Sequence, residues 1–177
     1  TKNLGPEFSK PGNNIIITQG FIGGTSENFT TTLGREGSDY TAAILAFTTN
    51  ARSVTIWKDV PGVLNADPKW FDETQKLEQL SYQDAIELAY YGASVIHPKT
   101  IKPLQNKKIP LFVKSFLNPE KSGTVICELP SSPAIACFIF KVNQVLLSIS
   151  PKDFSFINEE NFASIFNLFA EKGIKIN

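Results

Sequence analysis

The stretch that decides the fold lies at residues 30–39 and reads Thr30-Thr31-Thr32-Leu33-Gly34-Arg35-Glu36-Gly37-Ser38-Asp39. Its glycines let backbone N–H groups approach an anion, and the helix expected to start near Ser38 presents the positive end of its dipole to the same place. Arg35 can bind a carboxylate or phosphate through two parallel hydrogen bonds, and Asp39 can hold a cationic side chain or a metal ion. The alternative is a Gly/Ser turn in which Asp39 only caps the helix, because glycine-rich loops are common.

Apolar segments on both sides of this stretch have the lengths of strands and helices. Residues 15–19 predict a strand buried on both faces, residues 38–49 a helix, and residues 53–57 a second strand. This βαβ order predicts an α/β fold with a mostly parallel sheet. The pattern predicts later elements in chain order: a helix from the capping pair Ser81 and Asp84 to Gly92, a helix over residues 98–106, and strands over residues 111–114 and 124–128.

Two later segments are candidates for a site. Residues 59–68 form a loop after the second strand, and ligands of open parallel sheets bind beyond the carboxyl ends of the strands. Lys58 and Lys69 bracket this loop and suit phosphate groups, although a solvated loop with surface lysines is equally consistent with the pattern. His97 before Pro98 is a candidate general base, but a lone histidine there more often bonds the local backbone at a helix start.

Composition excludes several classes of protein. The 177 residues contain 17 basic and 17 acidic side chains, so no net charge recruits nucleic acid or an anionic membrane. One histidine and two cysteines argue against a zinc site, and we expect Cys127 and Cys137 to be reduced and buried. No apolar run is long enough to span a bilayer and the start lacks a signal-peptide pattern, so a cytoplasmic protein is expected.

The order and spacing of the motifs closely resemble those of the aspartate kinases. The matching motifs are Gly20-Phe21-Ile22-Gly23, Leu33-Gly34-Arg35-x-Gly37-Ser38-Asp39, Trp57-Lys58-Asp59-Val60-Pro61-Gly62, Ala66-Asp67-Pro68, Glu87-Leu88-Ala89-Tyr90-Tyr91-Gly92 and Val95-Ile96-His97-Pro98. The likeness continues through Val113-Lys114, Asn118-Pro119 and Gly123-Thr124-Val125-Ile126. It implies an amino-acid kinase (carbamate kinase-like) fold. It also implies ATP-dependent phosphorylation of the L-aspartate side chain to 4-phospho-L-aspartate, the first step of lysine, threonine and methionine biosynthesis.

The resemblance also implies roles for individual residues. Arg35, together with Gly37 and Ser38, would bind the aspartate, and Asp39 would position the catalytic lysine that neutralises the migrating phosphoryl group. The nucleotide-binding set it implies consists of Lys58, Asp59, Lys69, Ser94 and Val95, with Leu64 standing where the family commonly has tyrosine. Magnesium would arrive with the ATP rather than sit in a protein cage, and no protein metal site is expected.

The resemblance divides the chain into three parts. Residues 1–128 would be the C-terminal, nucleotide-binding part of the kinase domain, residues 129–133 a linker, and residues 134–177 a partial, ferredoxin-like ACT regulatory domain. We expect strands over residues 142–149 and from Gly173, with a helix over residues 159–172 between them. ACT domains pair, so the intact protein is expected to form a homo-oligomer.

Departures from the family keep two other functions open. The family begins with Lys-Phe-Gly-Gly-Thr, which supplies the catalytic lysine, and nothing before Ile15 resembles it. We therefore expect a fragment that is inactive alone. Glu36 stands where the family has glycine. One alternative is a kinase of another small carboxylate, and the other is a non-catalytic amino-acid-sensing or assembly protein.

Overall fold

The computed structural model describes residues 15–92, 95–130, 135–139, 142–152 and 156–176. The chain divides after residue 141 into two compact units. The strands of the first unit are β1 (Ile22–Gly24), β2 (Thr30–Thr32), β3 (Val54–Lys58), β4 (Gln79–Ser81), β5 (Leu111–Ser115) and β6 (Thr124–Cys127). Its helices are α1 (Gly37–Thr49), α2 (Tyr82–Tyr91) and α3 (Pro98–Asn106), and the second unit contains α4 (Glu159–Glu171). None of the described helices is long and apolar enough to cross a membrane.

A four-stranded sheet in the order β3-β5-β6-β4 forms the centre of the first unit. β3 pairs with β5 in parallel and β4 with β6 in parallel, while β5 and β6 run antiparallel. The sheet is therefore mostly parallel, as the βαβ order predicts. Its core is built from fully buried aliphatic side chains, among which Ile101 and Leu104 of α3 meet Leu111, Val113 and Ile126 of the sheet.

The helices begin where the sequence predicts. The hydroxyl of Ser81 accepts a hydrogen bond from the Asp84 N–H and so caps α2. Pro98 occupies the first turn of α3, and the Nδ1 atom of His97 accepts from the Lys99 N–H at 3.2 Å. His97 is therefore a helix cap, which is the common role of a lone histidine beside proline.

Three predicted strands are wrong. Residues 15–19 are exposed and form no strand, with Ile15 and Ile17 each 92% accessible. The run from Val142 to Ile149 is likewise exposed irregular chain, and no strand begins at Gly173 among the residues described. A strand is stable only when its backbone groups pair in a ladder, and no described segment pairs with these runs. The predicted linker, residues 129–133, extends into residues 131–133, which lie outside the described ranges.

The sequence patterns do not predict the β1–β2 hairpin or the short strand β4 of the first unit. β1 and β2 form an antiparallel hairpin inside the segment expected to be a glycine-rich loop. β4 is only three residues long and lies directly before α2. Both cysteines are free thiols, but the expectation of burial is wrong for Cys137, which is exposed, while Cys127 is half-buried.

The second unit is described by its helix. Asn158 and Asn161 cap α4 reciprocally, each side chain accepting from the other residue's backbone N–H. The rings of Phe162 and Phe166 stack with centroids 6.2 Å apart. No residue of this helix is buried, so its aromatic face is open.

Candidate active site

The turn over residues 33–37 links the β1–β2 hairpin to α1. The Gly37 N–H donates to the Gly34 carbonyl at 3.0 Å, and the Leu33 N–H donates to the Phe21 carbonyl at 2.8 Å. Gly34 has φ of +74°, which glycine adopts without steric cost, whereas Glu36 adopts the left-handed region at φ 54°. The turn therefore has one defined shape, and α1 begins directly from it.

Close packing at Gly37 explains why a glycine stands there. A Cβ atom at this position would lie 2.8 Å from Cδ2 of Phe21 and 3.0 Å from Cβ of Leu33. Both distances are shorter than ordinary van der Waals contact, so any larger side chain would push the hairpin away from α1.

Arg35 and Ser38 extend from this turn into solvent. The Arg35 side chain is 74% exposed, and its Nε lies 4.0 Å from Oε1 of Glu36, whose side chain is only 15% exposed. Ser38 is exposed as well. An exposed guanidinium held by a defined turn is free to bind a carboxylate from outside the chain.

An ion pair connects this turn to the sheet. Nζ of Lys58, at the end of β3, donates to Oδ2 of Asp39 in the first turn of α1 at 2.7 Å. The two side chains are 24% and 15% exposed, so the pair is shielded from much of the solvent. Among the described residues, the cation that Asp39 holds is thus Lys58.

Lys58 also lines a cavity of about 470 Å³ beyond the carboxyl end of β3. Five of the six residues expected to bind nucleotide line it together: Lys58, Asp59, Leu64, Lys69 and Val95. The sixth, Ser94, lies outside the described residues. The size falls within the range of small-molecule sites. Lysine and aspartate side chains here meet the apolar Leu64 and Val95, a mixture that suits a base, a sugar and phosphates.

Thr124 anchors the cavity loop, by which we mean residues 59–78 between β3 and β4, part of which lines the cavity. Its hydroxyl accepts from the Val63 N–H at 2.9 Å and donates to the Leu77 carbonyl at 2.6 Å. The residue has no accessible surface, so these two bonds satisfy a hydroxyl that water does not reach. Gly62 approaches so closely that an added Cβ would lie 2.5 Å from this hydroxyl oxygen. The cavity loop is thereby fastened to β6 at Val63 and at Leu77.

Residues near position 138 supply another wall of the cavity. The Phe138 N–H donates to the Asn65 carbonyl at 2.7 Å, and the Asn65 amide donates to the Ala136 carbonyl at 3.2 Å. The Phe138 ring lies 5.6 Å from that of Phe71, measured between centroids. No local sequence pattern marks Thr124 or Phe138 as a site residue, because each acts through contacts with distant parts of the chain, such as Val63 and Asn65.

A second, larger cavity of about 750 Å³ lies along α2. The described residues that line it include Asp84, Glu87 and Glu128 but no lysine, arginine or histidine. A triphosphate would meet only negative charge there, so the smaller cavity beside Lys58 is the better nucleotide site. Although Cys137 is exposed to solvent, partial desolvation by its neighbours, followed by the negative charge of Asp84, raises the pKa of its thiol in this second cavity.

Comparisons with known proteins identify relatives of this chain. A family model described as the amino acid kinase family matches residues 2–115. The chain is 37% identical over 165 residues to lysine-sensitive aspartokinase 3 of Escherichia coli strain K12, a match covering 92% of this chain and 36% of that protein. It is 46% identical over 129 residues to the chloroplastic bifunctional aspartokinase/homoserine dehydrogenase 2 of Arabidopsis thaliana, covering 73% of this chain and 14% of the relative.

Solved structures give the same result. The structure of E. coli aspartokinase III in complex with aspartate and ADP matches with a TM-score of 0.73 at 32% identity, over 99% of this chain and 39% of that chain. Clostridium acetobutylicum aspartate kinase matches with a TM-score of 0.56 at 35% identity, over 62% and 25% of the two chains. The chain thus spans between 14% and 39% of the length of these relatives. The α/β fold, the motif order and the family model agree, and the chain belongs to the amino acid kinase family.

Proposed function

We propose that the protein carrying this chain is an aspartate kinase that transfers the γ-phosphoryl group of ATP to the side-chain carboxylate of L-aspartate. The observation that carries the proposal is the Asp39–Lys58 ion pair, since Lys58 both lines the cavity and reaches the turn that holds Arg35. During phosphoryl transfer, negative charge builds up between the nucleotide and the acceptor, and a lysine at that boundary stabilises it.

Each side of this boundary has its own task. Arg35 binds a carboxylate of the aspartate, and the backbone around Gly37 and Ser38 orients it. Asp39 holds the Lys58 ammonium so that the positive charge stays at the boundary as the phosphoryl group moves. The relative whose structure matches over 99% of this chain was solved with aspartate and ADP, which supports these substrates.

The cavity residues divide between the phosphates and the remainder of the nucleotide. Lys58 and Lys69 face the phosphates, while Leu64 and Val95 pack against the apolar part, and Ser94 completes the set expected from the sequence. Asp59 and Asp67 also line the cavity, and one or two carboxylates are the usual protein share of a Mg²⁺ site that includes nucleotide phosphates. Among the described residues there is no group of three side chains suited to a metal.

We further propose that residues 1–128 form the nucleotide-binding part of the kinase domain and residues 134–177 part of an ACT domain. The open aromatic face of α4, with Phe162 and Phe166, supports a homo-oligomer formed through ACT domains in the intact protein. The cytoplasmic location remains a prediction from the sequence.

A coupled assay of ADP release tests the proposed function. The natural gene product carrying this chain is supplied with Mg-ATP and, in separate reactions, with L-aspartate, L-glutamate or N-acetylglutamate. We expect release that depends on aspartate and exceeds that with glutamate by about a hundredfold, because an acceptor one methylene longer misplaces its carboxylate.

Two other outcomes would refute the proposal. Faster release with glutamate or N-acetylglutamate would identify a kinase of another small carboxylate. Calorimetry that detects no Mg-ATP binding would instead favour a non-catalytic sensing or assembly protein. The 177-residue chain, assayed alone, is expected to release no ADP in response to aspartate, and measurable turnover from a homogeneous sample would overturn that expectation.

A further inference from the structure

Lys99 is a half-buried cation beside the acceptor turn, and none of the sequence motifs assigns it a role. It is the second residue of α3, and its N–H is held by the His97 cap. Its Nζ donates to the Leu33 carbonyl at 2.8 Å, directly before Gly34 and Arg35. α3 thus reaches the same turn that α1 begins from.

A second contact locates the ammonium over the start of α1. Nζ of Lys99 lies 5.8 Å from the ring centroid of Tyr40, the residue that follows Asp39. A Cβ atom added to Gly34 would lie 3.7 Å from the same nitrogen. The ammonium therefore lies between the turn and the first turn of α1, and the packing of α1 against α3 keeps it there.

The dipole of α3 opposes the positive charge of Lys99, which the Leu33 carbonyl and the Tyr40 ring offset. Cations are destabilising in the first turn of a helix, where the dipole is positive, and α3 has no acidic residue in that turn. No ion pair joins Lys99 to a carboxylate within the described part of the chain. A half-buried ammonium without an anionic partner suits a site that receives an anion.

We propose that Lys99 is a positioning residue for the acceptor substrate: by bonding the Leu33 carbonyl it fixes the turn that presents Arg35, and its charge favours an anionic acceptor there. This inference rests on the proposed function, because it takes the acceptor to be a small carboxylate bound by Arg35. The bond also helps to fix the backbone that carries Arg35, since Lys99 bonds the Leu33 carbonyl and the Gly37 N–H bonds the Gly34 carbonyl.

The test compares Lys99→Met, which keeps the stem but removes the charge and the donors, with Lys99→Arg, which keeps both. Lys102→Met is the matched control, because Lys102 is an exposed lysine on the same helix. In the natural gene product we expect Lys99→Met to raise the aspartate KM about tenfold or more, because one charged hydrogen bond is lost. The ATP KM should change less than about twofold. Lys99→Arg should restore most of the aspartate affinity.

A second measurement does not depend on activity. Amide hydrogen exchange in the 177-residue chain should accelerate at Leu33 and Gly37 in Lys99→Met and stay unchanged in Lys102→Met, because the Leu33 carbonyl loses its tether. If Lys99→Met does not fold, Lys99→Gln replaces it, since glutamine retains a donor without the charge.

The outcomes separate this inference from the function on which it rests. Equal increases in both KM values, Lys99→Arg behaving like Lys99→Met, or unchanged exchange at Gly37 would each overturn the role of Lys99. A wild-type protein without aspartate-dependent ADP release would refute the proposed function instead. The exchange rates would still decide whether Lys99 holds the turn.

Discussion

Replacing Thr124 by valine removes the one hydroxyl that anchors the cavity loop to β6 and changes the side-chain volume little. The hydroxyl serves two buried backbone groups, the Val63 N–H and the Leu77 carbonyl, and valine can serve neither. Val63 and Leu77 are 5% and 3% exposed, so water does not reach these groups. Each buried group left without a partner costs about 1–3 kcal/mol, and we expect Thr124→Val to lower the free energy of unfolding by roughly 2–4 kcal/mol.

Urea unfolding of the 177-residue chain, followed by circular dichroism, measures this change. Thr124→Ser keeps the hydroxyl and loses only a methyl group, so its cost should be about 1 kcal/mol. Thr55→Val is the matched control, because Thr55 is exposed on β3 and should change stability by less than about 0.5 kcal/mol. A Thr124→Val variant as stable as Thr55→Val would show that Thr124 does not hold the loop. Addition of Mg-ADP should then stabilise wild type more than Thr124→Val, because the loop lines the nucleotide cavity.

Three further predictions follow from other contacts. Asp39→Asn should reduce the rate of ADP release by about a hundredfold, because Lys58 loses the carboxylate that holds its ammonium. It should lower the free energy of unfolding by no more than about 1 kcal/mol, because the pair is partly solvated. Stopped assays and urea unfolding of the same variant test both effects, and a rate reduced by less than about tenfold would refute the role of Asp39. Gly37→Ala should destabilise the chain by about 1–3 kcal/mol in urea, since its Cβ would meet Phe21 at 2.8 Å, and an unchanged midpoint would contradict the packing. Burial, with smaller contributions from neighbouring acidic groups, raises the pKa of Tyr82 to about 12 from 10.0, so its contribution to stability is complete below pH 10 and is lost as pH rises towards 12. Tyr82→Phe should remove this alkaline loss, and identical stability profiles of wild type and variant above pH 10 would refute the assignment.

The parts of the fold that the sequence predicts best depend on local chemistry. Helix α1 starts within one residue of the expected Ser38, and α3 matches its predicted bounds because Pro98 and the His97 cap lie next to each other in the chain. β5 is predicted for a related reason, since its continuous apolar run is short and the turns around it are polar. These signals need no knowledge of distant contacts.

The predictions that are wrong depend on contacts between distant parts of the chain. Residues 15–19 have the composition of a buried strand, but a strand also requires a neighbour in a ladder, and no local pattern reveals whether one is present. The candidate site divides in the same way. Lys58 and Asp39 can be proposed separately from their loops, whereas their contact at 2.7 Å depends on how β3 and α1 pack. Thr124 remained unidentified because an isolated threonine in a strand gives no sign of the two backbone groups it will serve.

The wall that Phe138 adds to the proposed nucleotide cavity has a consequence for the order in which the nascent chain forms this site. The loop it closes begins at Asp59, so nearly eighty residues are synthesised between the first part of the cavity and the last. Chains emerge from the ribosome in sequence order and their early parts fold first, so β3 and its loop exist for some time with one side missing. A chain released after residue 128 would keep the ion pair and every strand of the central sheet yet lack the Asn65–Phe138 bond. Nucleotide capture should therefore begin only after Phe138 has been added, well after the sheet has formed.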